Sequence, residues 1–180
     1  MPLNEDSQII ADSTFYLCFL EDIKKPEVLT NILDNFDLLI TPIVYKEVSL
    51  SCNFADVQSH PKLIPYPKEN LGEALRPFFS EKQIQKGETE VIELAYDFYI
   101  NGTPKMVILD DKQPRSFVLR HLPYLEKLMI GTVGFVGDCY CEYRVFGKGE
   151  TRALVILISM SPFRVSADVI SEVLAKIESR

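Results

Sequence analysis

The chain is poor in several residue types on which common catalytic sites depend. It has only two histidines, His60 and His121, so a Ser/His/Asp hydrolase site has little support. Its four cysteines form no paired CxxC pattern, which argues against a tetrahedral zinc site. The glycine-containing stretch FGKGET lacks the GxxxxGK[ST] spacing of a P-loop. These observations argue against three common kinds of catalytic or nucleotide-binding site.

Basic residues and long apolar runs are also scarce. The 19 Lys and Arg residues face 26 Asp and Glu, giving a net charge of −7. This balance argues against a generic nucleic-acid binder, whose affinity comes from cations placed on phosphates. The longest apolar stretch, residues 153–160, is far shorter than the roughly 20 residues that a membrane-spanning helix needs. Because no signal-peptide pattern opens the chain, we expect a reducing, cytoplasmic location.

Strand-like and helix-like patterns alternate along the chain. Short apolar runs typical of buried parallel strands lie at 9–11, 38–40, 106–109 and 129–130. Helical patterns lie at about 14–20, 26–34, 41–48, 88–100, 113–121, 133–146, 150–160 and 166–178. The alternation predicts an α/β fold, and 180 residues fit one domain, 1–180. Residues 51–70, rich in proline, are predicted to be irregular, and residues 71–79 to form a short helix.

Acidic residues follow two of the predicted strands. Asp12 comes directly after the first strand, and Asp110 and Asp111 come after the strand at 106–109. Parallel sheets bring their strand ends to one crevice, so these carboxylates are expected to lie close together. Each has a structural alternative, because Asp12 is also suited to cap the following helix and the Asp-Asp pair to an ordinary polar loop.

Further acids lie on two predicted helices. Glu47 shares a helix face with two valines, and Glu88 and Glu90 lie in the first turn of the helix at 88–100. The helix macrodipole favours acids in a first turn whatever their function. If these side chains join those at the strand ends, the cluster cannot stay ionised without a cation. Hard divalent ions such as Mg²⁺ prefer these oxygen ligands.

The sequence around these acids resembles a known family. The matching segments are IIADSTF with Asp12, TPIVYKEV with Glu47, KGETEVIELA with Glu90, and VILDDKQPR with Asp110 and Asp111. In this order and spacing they resemble the PIN domain, the fold of VapC-type toxins and related metal-dependent ribonucleases. The GExE helix start, the Asp-Asp pair, the GTVG turn at 131–134 and the tail SPFRVSADVISEVL resemble a branch of small prokaryotic PIN-like proteins.

The resemblance implies a fold and a metal site. The fold is a Rossmann-like parallel sheet of about five strands flanked by helices, with a helical extension over about 147–180. The cofactor is Mg²⁺ or Mn²⁺, and the residues implied as catalytic by their position are Asp12, Glu47, Glu90 and Asp111. Asp110 is a further metal ligand that competes with Asp111 for the fourth position. Thr14 and Glu88 match supporting positions of the family, and Glu88 has capping as its expected role.

The resemblance also implies an activity, partners and one departure. It implies an endoribonuclease that hydrolyses RNA phosphodiester bonds, works as a homodimer and is controlled by an antitoxin protein. Arg115 and Lys112 are the candidates for binding RNA, although Arg115 suits an ion pair with Asp110 equally well. Leu109 stands where many toxins carry Thr or Ser. The alternative is a catalytically weak or inactive PIN-like protein that acts as a protein-binding module.

Overall fold

The centre of the computed structural model is a sheet of five parallel strands. The structure describes residues 8–68, 70–78, 86–103 and 105–180, without the side chain of Arg76. The strands are β1 (Gln8–Ala11), β2 (Asp37–Ile40), β3 (Leu63–Pro65), β4 (Met106–Ile108) and β5 (Met129–Ile130). Helices flank the sheet, so the prediction of an α/β fold with about five parallel strands is confirmed.

The strand order creates a crevice beside β1. The order is β3-β2-β1-β4-β5, so β1 has β2 on one side and β4 on the other. Ile10 pairs with Leu39 of β2 and with Val107 of β4. The chain thus builds the sheet outward in one direction from β1 and then resumes on its other side. In parallel sheets, ligands bind at this switch point, outside the carboxyl ends of the two strands.

The helices are close to those predicted. They are α1 (Ser13–Leu17), α2 (Pro26–Asn35), α3 (Pro42–Val48), α4 (Lys86–Ile100), α5 (Lys112–His121), α6 (Thr132–Cys141), α7 (Lys148–Ser159) and α8 (Ala167–Glu178). One π-helical turn, Cys18–Asp22, continues α1. The prediction of a helix to residue 146 was wrong, because α6 ends at Cys141 and an αL residue follows at Arg144. Every helix in the described ranges is too short or too polar to traverse a bilayer.

Two predictions for the middle of the chain were wrong. Residues 51–70 are not irregular throughout, because they contain a 3₁₀ helix, Cys52–Asp56, and the edge strand β3. Pro65 argued against a strand at the sequence level, because proline lacks the N–H donor that a central strand needs. An edge strand such as β3 tolerates a proline. For 71–79, the described part holds turns and a 3₁₀ helix, Arg76–Phe78; Phe79 lies outside the described residues.

A cluster of aromatic rings joins the N-terminal helices to α6. Phe15 of α1 and Phe36, which follows α2, both contact Phe135 of α6 edge-on, at centroid distances of 5.9 and 5.5 Å. All three rings are buried, and such pairs add to the free energy gained from burial. This packing holds α6, whose first residue lies at the site described below, against the first half of the chain.

The C-terminal helices pack tightly at one glycine. A Cβ atom at Gly137 of α6 would lie 2.7 Å from Cγ1 of Val173 on α8. Only a glycine therefore allows α6 and α8 to approach this closely without a shift of one helix. Gly149 of α7 provides a comparison, because a Cβ atom there would meet nothing within 4 Å.

We therefore expect Gly137→Ala to lower the free energy of unfolding by about 1–3 kcal/mol, as overpacked cores do. Gly149→Ala, the matched control in a helix with free space, should raise it by roughly 0.5–1 kcal/mol. Urea unfolding of both variants measures the difference. Val173→Ala should restore most of the stability lost in Gly137→Ala, and failure of that rescue would contradict the close contact between α6 and α8.

Candidate functional site

Two carboxylates meet at the switch point of the sheet. The backbone N–H of Asp12 donates to the carbonyl of Ile108 at 3.1 Å, which extends the pairing of β1 with β4 by one residue. The N–H of Asp110 then donates to Oδ2 of Asp12 at 3.3 Å. The other oxygen of Asp12 accepts from the N–H of Phe15 at 3.1 Å and so caps α1. Asp12 thus both caps a helix and lies beside the backbone of the second acid.

Asp110 is held by the start of α6. Its Oδ1 accepts from the N–H of Thr132 at 2.8 Å, and its Oδ2 accepts from the hydroxyl of Thr132 at 2.5 Å. A Cβ atom at Gly131 would lie 3.1 Å from Oδ1 of Asp110, so the glycine permits this close approach. Thr132 was missed among the predicted site residues. The GTVG turn that begins one residue earlier was the signal for it.

The predicted pair Asp110 and Asp111 separates in the structure. Asp110 is half-buried against Asp12 and Thr132, whereas Asp111 is exposed and its side chain makes no capping hydrogen bond to α5. Lys112 is exposed as well. The geometry therefore favours Asp110 over Asp111 as the acid that shares the site with Asp12.

Arg115 brings a positive charge to the same place. Its Nη1 donates to the carbonyl of Leu109 at 2.9 Å, and its charge partly opposes the burial that raises the pKa of Asp110. The guanidinium is half-buried. This placement supports the interpretation of Arg115 as an electrostatic partner of Asp110.

Glu90 and Glu47 lie where α3 and α4 meet. Oε2 of Glu90 accepts from the N–H of Ile43 at 2.8 Å, in the first turn of α3. Thr41, the residue at the N-cap of α3, makes no side-chain capping bond, so Glu90 caps this helix from α4. Gly87 at the start of α4 lies against Glu47, because a Cβ atom added at Gly87 would lie 3.1 Å from Oε2 of Glu47. Glu47 and Glu90 thus connect the two helices.

The supporting residues predicted from the sequence lie on the flanking helices. Glu88 is buried in the first turn of α4, and its charge helps to raise the pKa of Asp12. Thr14 is half-buried on α1, two residues after Asp12. Glu88 therefore belongs electrostatically to the pair at the switch point.

Burial disfavours the ionised forms of Asp12 and Asp110. It raises the pKa of Asp12 well above its ordinary value, and the charges of Asp110 and Glu88 raise it further against the hydrogen bonds from Phe15 and Asp110. Burial also raises the pKa of Asp110, although the bonds from Thr132 and the charge of Arg115 oppose this. The ionised forms of both acids are therefore disfavoured, because the surrounding groups only partly compensate for their burial.

Two buried side-chain hydroxyl groups also lie at this end of the sheet. Among the described residues, Oη of Tyr16 and Oγ1 of Thr41 have no hydrogen-bond partner, and both residues are fully buried. Tyr16 lies close enough to Asp12 for that carboxylate to raise its pKa. Neither Tyr16 nor Thr41 was predicted as a site residue. Buried polar groups without partners are rare in proteins and call for an explanation.

The oxygen ligands at the site are of the type that binds a hard divalent cation, but the acidic side chains lie in pairs. Within residues 8–68, 70–78, 86–103 and 105–180, no three His, Cys, Asp or Glu side chains lie close enough together to hold a metal ion. Carboxylate and hydroxyl oxygens are nevertheless the ligands that Mg²⁺ and Mn²⁺ prefer. A bound cation would favour the ionised forms of Asp12 and Asp110, which burial and, to a lesser degree, neighbouring charges disfavour.

Comparison with known proteins adds no relative, since no family model, curated protein or solved structure matches the chain.

The raised pKa of Asp12 predicts how stability depends on pH without metal. Above the ordinary aspartate pKa, the unfolded chain has released a proton that the folded protein still holds, so this group makes folding less favourable as the pH rises. Asp12→Asn cannot ionise. Its stability relative to the wild type should therefore increase from acid to neutral pH, as measured by urea unfolding in EDTA.

Asp111→Asn is the matched control for this experiment, because it removes the neighbouring exposed acid. The increase in relative stability from acid to neutral pH should be larger for Asp12→Asn than for this control, because Asp12 is buried and Asp111 is exposed. Parallel pH profiles for the wild type and Asp12→Asn would contradict a raised pKa of Asp12.

Proposed function

We propose that this protein is a divalent-metal-dependent endoribonuclease of the PIN type that hydrolyses RNA phosphodiester bonds at the acidic site. The observation that supports this most is the contact between Asp12 and Asp110 across the β1–β4 switch point. The pKa values of both acids are raised chiefly by burial, so their ionised forms are disfavoured in the absence of a cation. A hard cation would favour the ionised forms of both acids, and divalent cations also promote the hydrolysis of phosphodiesters.

Each acid has a distinct part in this proposal. Asp12 and Asp110 would hold Mg²⁺ or Mn²⁺, with Glu88 and Glu47 from α4 and α3 completing the acidic surroundings. Thr132 orients Asp110 through both of its oxygens. A bound divalent ion would lower the pKa of a bound water and stabilise negative charge on the phosphate. Asp111, proposed from the sequence as the fourth acid, takes second place to Asp110.

Arg115 and Thr132 give the site groups that an RNA phosphate requires. Arg115 is a half-buried cation beside Asp110, suited to the approach of an anionic substrate. Lys112 is exposed at the start of α5 and would contact the strand further out. Leu109 lacks a hydroxyl, but the hydroxyl of Thr132 lies against Asp110 in its place. In this proposal, the hydroxyl of Thr132 on α6 replaces the Thr or Ser hydroxyl that is missing at Leu109.

The partners belong to the same proposal. The PIN resemblance makes a second copy of the chain and an antitoxin-like protein the expected partners, in the cytoplasm. Leu157 of α7, Met160 directly after α7 and Val169 of α8 are exposed apolar side chains, which fits a contact through the C-terminal helices.

A second function is favoured by a specific observation. Glu90 caps α3, both oxygens of Asp110 accept from Thr132, and Arg115 already supplies a cation. Acids occupied in this way stabilise the fold without metal. They therefore favour a catalytically weak PIN-like protein that acts through protein contacts.

Cleavage of RNA tests the proposed activity. A mixed-sequence single-stranded RNA should be cut with Mn²⁺ or Mg²⁺, and not with EDTA. Asp12→Asn and Asp110→Asn should each reduce the rate by at least about 100-fold, because each removes a carboxylate that positions the cation. Gel analysis of end-labelled RNA measures the rate.

Asp111→Asn is the control, and it should retain most of the activity. Loss of cleavage in Asp111→Asn with retention in Asp110→Asn would contradict the proposed assignment. If no variant and no metal supports cleavage, the protein-binding alternative replaces the nuclease.

Glu90 allows its structural and chemical roles to be separated. Glu90→Gln keeps an oxygen for the N–H of Ile43, so it should cost less than about 1 kcal/mol of stability, whereas Glu90→Ala should cost roughly 1.5–3 kcal/mol. If Glu90 also helps to bind the cation, Glu90→Gln should diminish the increase in melting temperature caused by Mn²⁺. Differential scanning calorimetry with and without Mn²⁺ measures both effects. A Glu90→Gln variant as responsive to Mn²⁺ as the wild type would limit Glu90 to capping.

A further inference from the structure

A cavity outside the acidic site is lined by two arginines. Its volume is about 480 Å³, and its lining consists of Tyr140, Cys141, Arg144, Phe146 and Arg180. Tyr140 and Cys141 belong to the last turn of α6, Arg144 and Phe146 to the loop before α7, and Arg180 follows α8. The two charged lining residues are both cationic. The cavity therefore favours anions, although the protein as a whole carries a net charge of −7.

Arg144 stands where the backbone favours glycine. Its φ is 58°, in the left-handed region just after the end of α6, where glycine or asparagine is usual. The surrounding turn fixes this conformation, because the N–H of Val145 donates to the carbonyl of Cys139 at 2.6 Å. The N–H of Tyr143 likewise donates to the carbonyl of Asp138 at 3.0 Å. The backbone at Arg144 is therefore held in a conformation that costs an arginine free energy, and residues held in this way often have a function.

The charge of Arg144 is not used within the described part of the chain. Its neighbours are paired: Lys176 lies 2.6 Å from Asp138 and 3.5 Å from Glu142, and Arg180 lies 3.5 Å from Glu142. Arg144 makes no ion pair with any described residue, and its side chain is exposed. Glu142 is thus shared by two cations, whereas the guanidinium of Arg144 at the cavity has no acidic partner among the residues that the structure describes.

We propose that this cavity binds a phosphate monoester through Arg144 and Arg180. Arginine presents paired N–H groups that match phosphate oxygens. The half-buried ring of Tyr140 at the wall suits a planar group on the same ligand, such as a nucleobase. The site is separate from the acidic site, because Thr132 and Cys141 mark opposite ends of α6, about 13.5 Å apart along the helix axis at a rise of about 1.5 Å per residue. It does not depend on the proposed ribonuclease activity.

Thermal unfolding in EDTA tests the proposal with three probes: inorganic phosphate, AMP and adenosine. Phosphate and AMP should raise the melting temperature of the wild type in a concentration-dependent way, and adenosine should not. If the planar group contacts Tyr140, AMP should reach half its effect at about a tenfold lower concentration than phosphate. Equal concentrations would identify the phosphate alone as the ligand and overturn the contact with Tyr140.

Two glycine substitutions separate binding from stability. Arg144→Gly and Lys24→Gly both replace an exposed residue with positive φ, 58° and 53° respectively. Each should raise the melting temperature of the ligand-free protein by about 2 °C, since glycine relieves the strain. The response to phosphate and AMP should disappear in Arg144→Gly and persist in Lys24→Gly and Asp12→Asn. A response that survives in Arg144→Gly, or disappears in Lys24→Gly, would overturn the proposal.

Alkylation of the cysteines reports whether the ligand binds at the cavity itself. Cys141 lines it, whereas Cys52 is exposed elsewhere and serves as the internal reference. Saturating AMP should slow alkylation of Cys141 by N-ethylmaleimide several-fold and leave Cys52 unchanged, as measured by peptide mass spectrometry. Unchanged alkylation of Cys141 would place the ligand elsewhere and contradict the proposal.

Discussion

The close approach of Asp12 and Asp110 is the constraint on which the site depends. Two neighbouring strands of a parallel sheet end side by side, one followed by the buried Asp12 and the other by the half-buried Asp110. Burying charge is costly unless hydrogen bonds or opposite charges compensate for it. The surrounding chain supplies part of this compensation through the N–H groups of Phe15, Asp110 and Thr132 and through Arg115.

The same compensation explains why distant segments meet here. Asp12 needs the first turn of α1, and Asp110 needs the first turn of α6. Because Phe135 packs against Phe15, the helix that holds Asp110 is fixed to the helix that Asp12 caps. The core and the site are therefore coupled. The free-energy cost of burying these carboxylates is only partly compensated, and within the described part of the chain the hydroxyls of Tyr16 and Thr41 have no hydrogen-bond partner. These two observations are the physical basis for proposing a cation.

The strand-end acids were predictable, but their division of roles was not. Short apolar runs followed by Asp indicate where parallel strands end, and this placed Asp12 and the Asp-Asp pair correctly at one edge. Hydrophobic periodicity cannot tell which of two adjacent acids turns inward, since neighbouring residues point in opposite directions along extended backbone. The separation of Asp110 from Asp111 depends on the hydrogen bonds from Thr132, a residue 22 positions away from Asp110.

The features missed in the sequence share a physical cause. Strand β3 has only three residues and ends in proline, so it lacks an alternating or continuous apolar pattern. Glu90 caps a helix other than its own, which only tertiary structure reveals. Tyr16 lies in an aromatic and apolar run where a ring suggests core packing, and nothing in that run indicates an unpartnered hydroxyl. Local patterns thus predicted the elements, whereas contacts between distant segments determined the details of the site.

The central claim is that Asp12 and Asp110 together create a cation site, and direct measurement of Mn²⁺ binding tests it. Electron paramagnetic resonance of free Mn²⁺, titrated with protein, gives the affinity and the number of sites. We expect saturable binding to the wild type and to Asp111→Asn, and binding weakened by at least about tenfold in Asp110→Asn. No saturable binding to the wild type, or equal binding to Asp110→Asn, would contradict the claim.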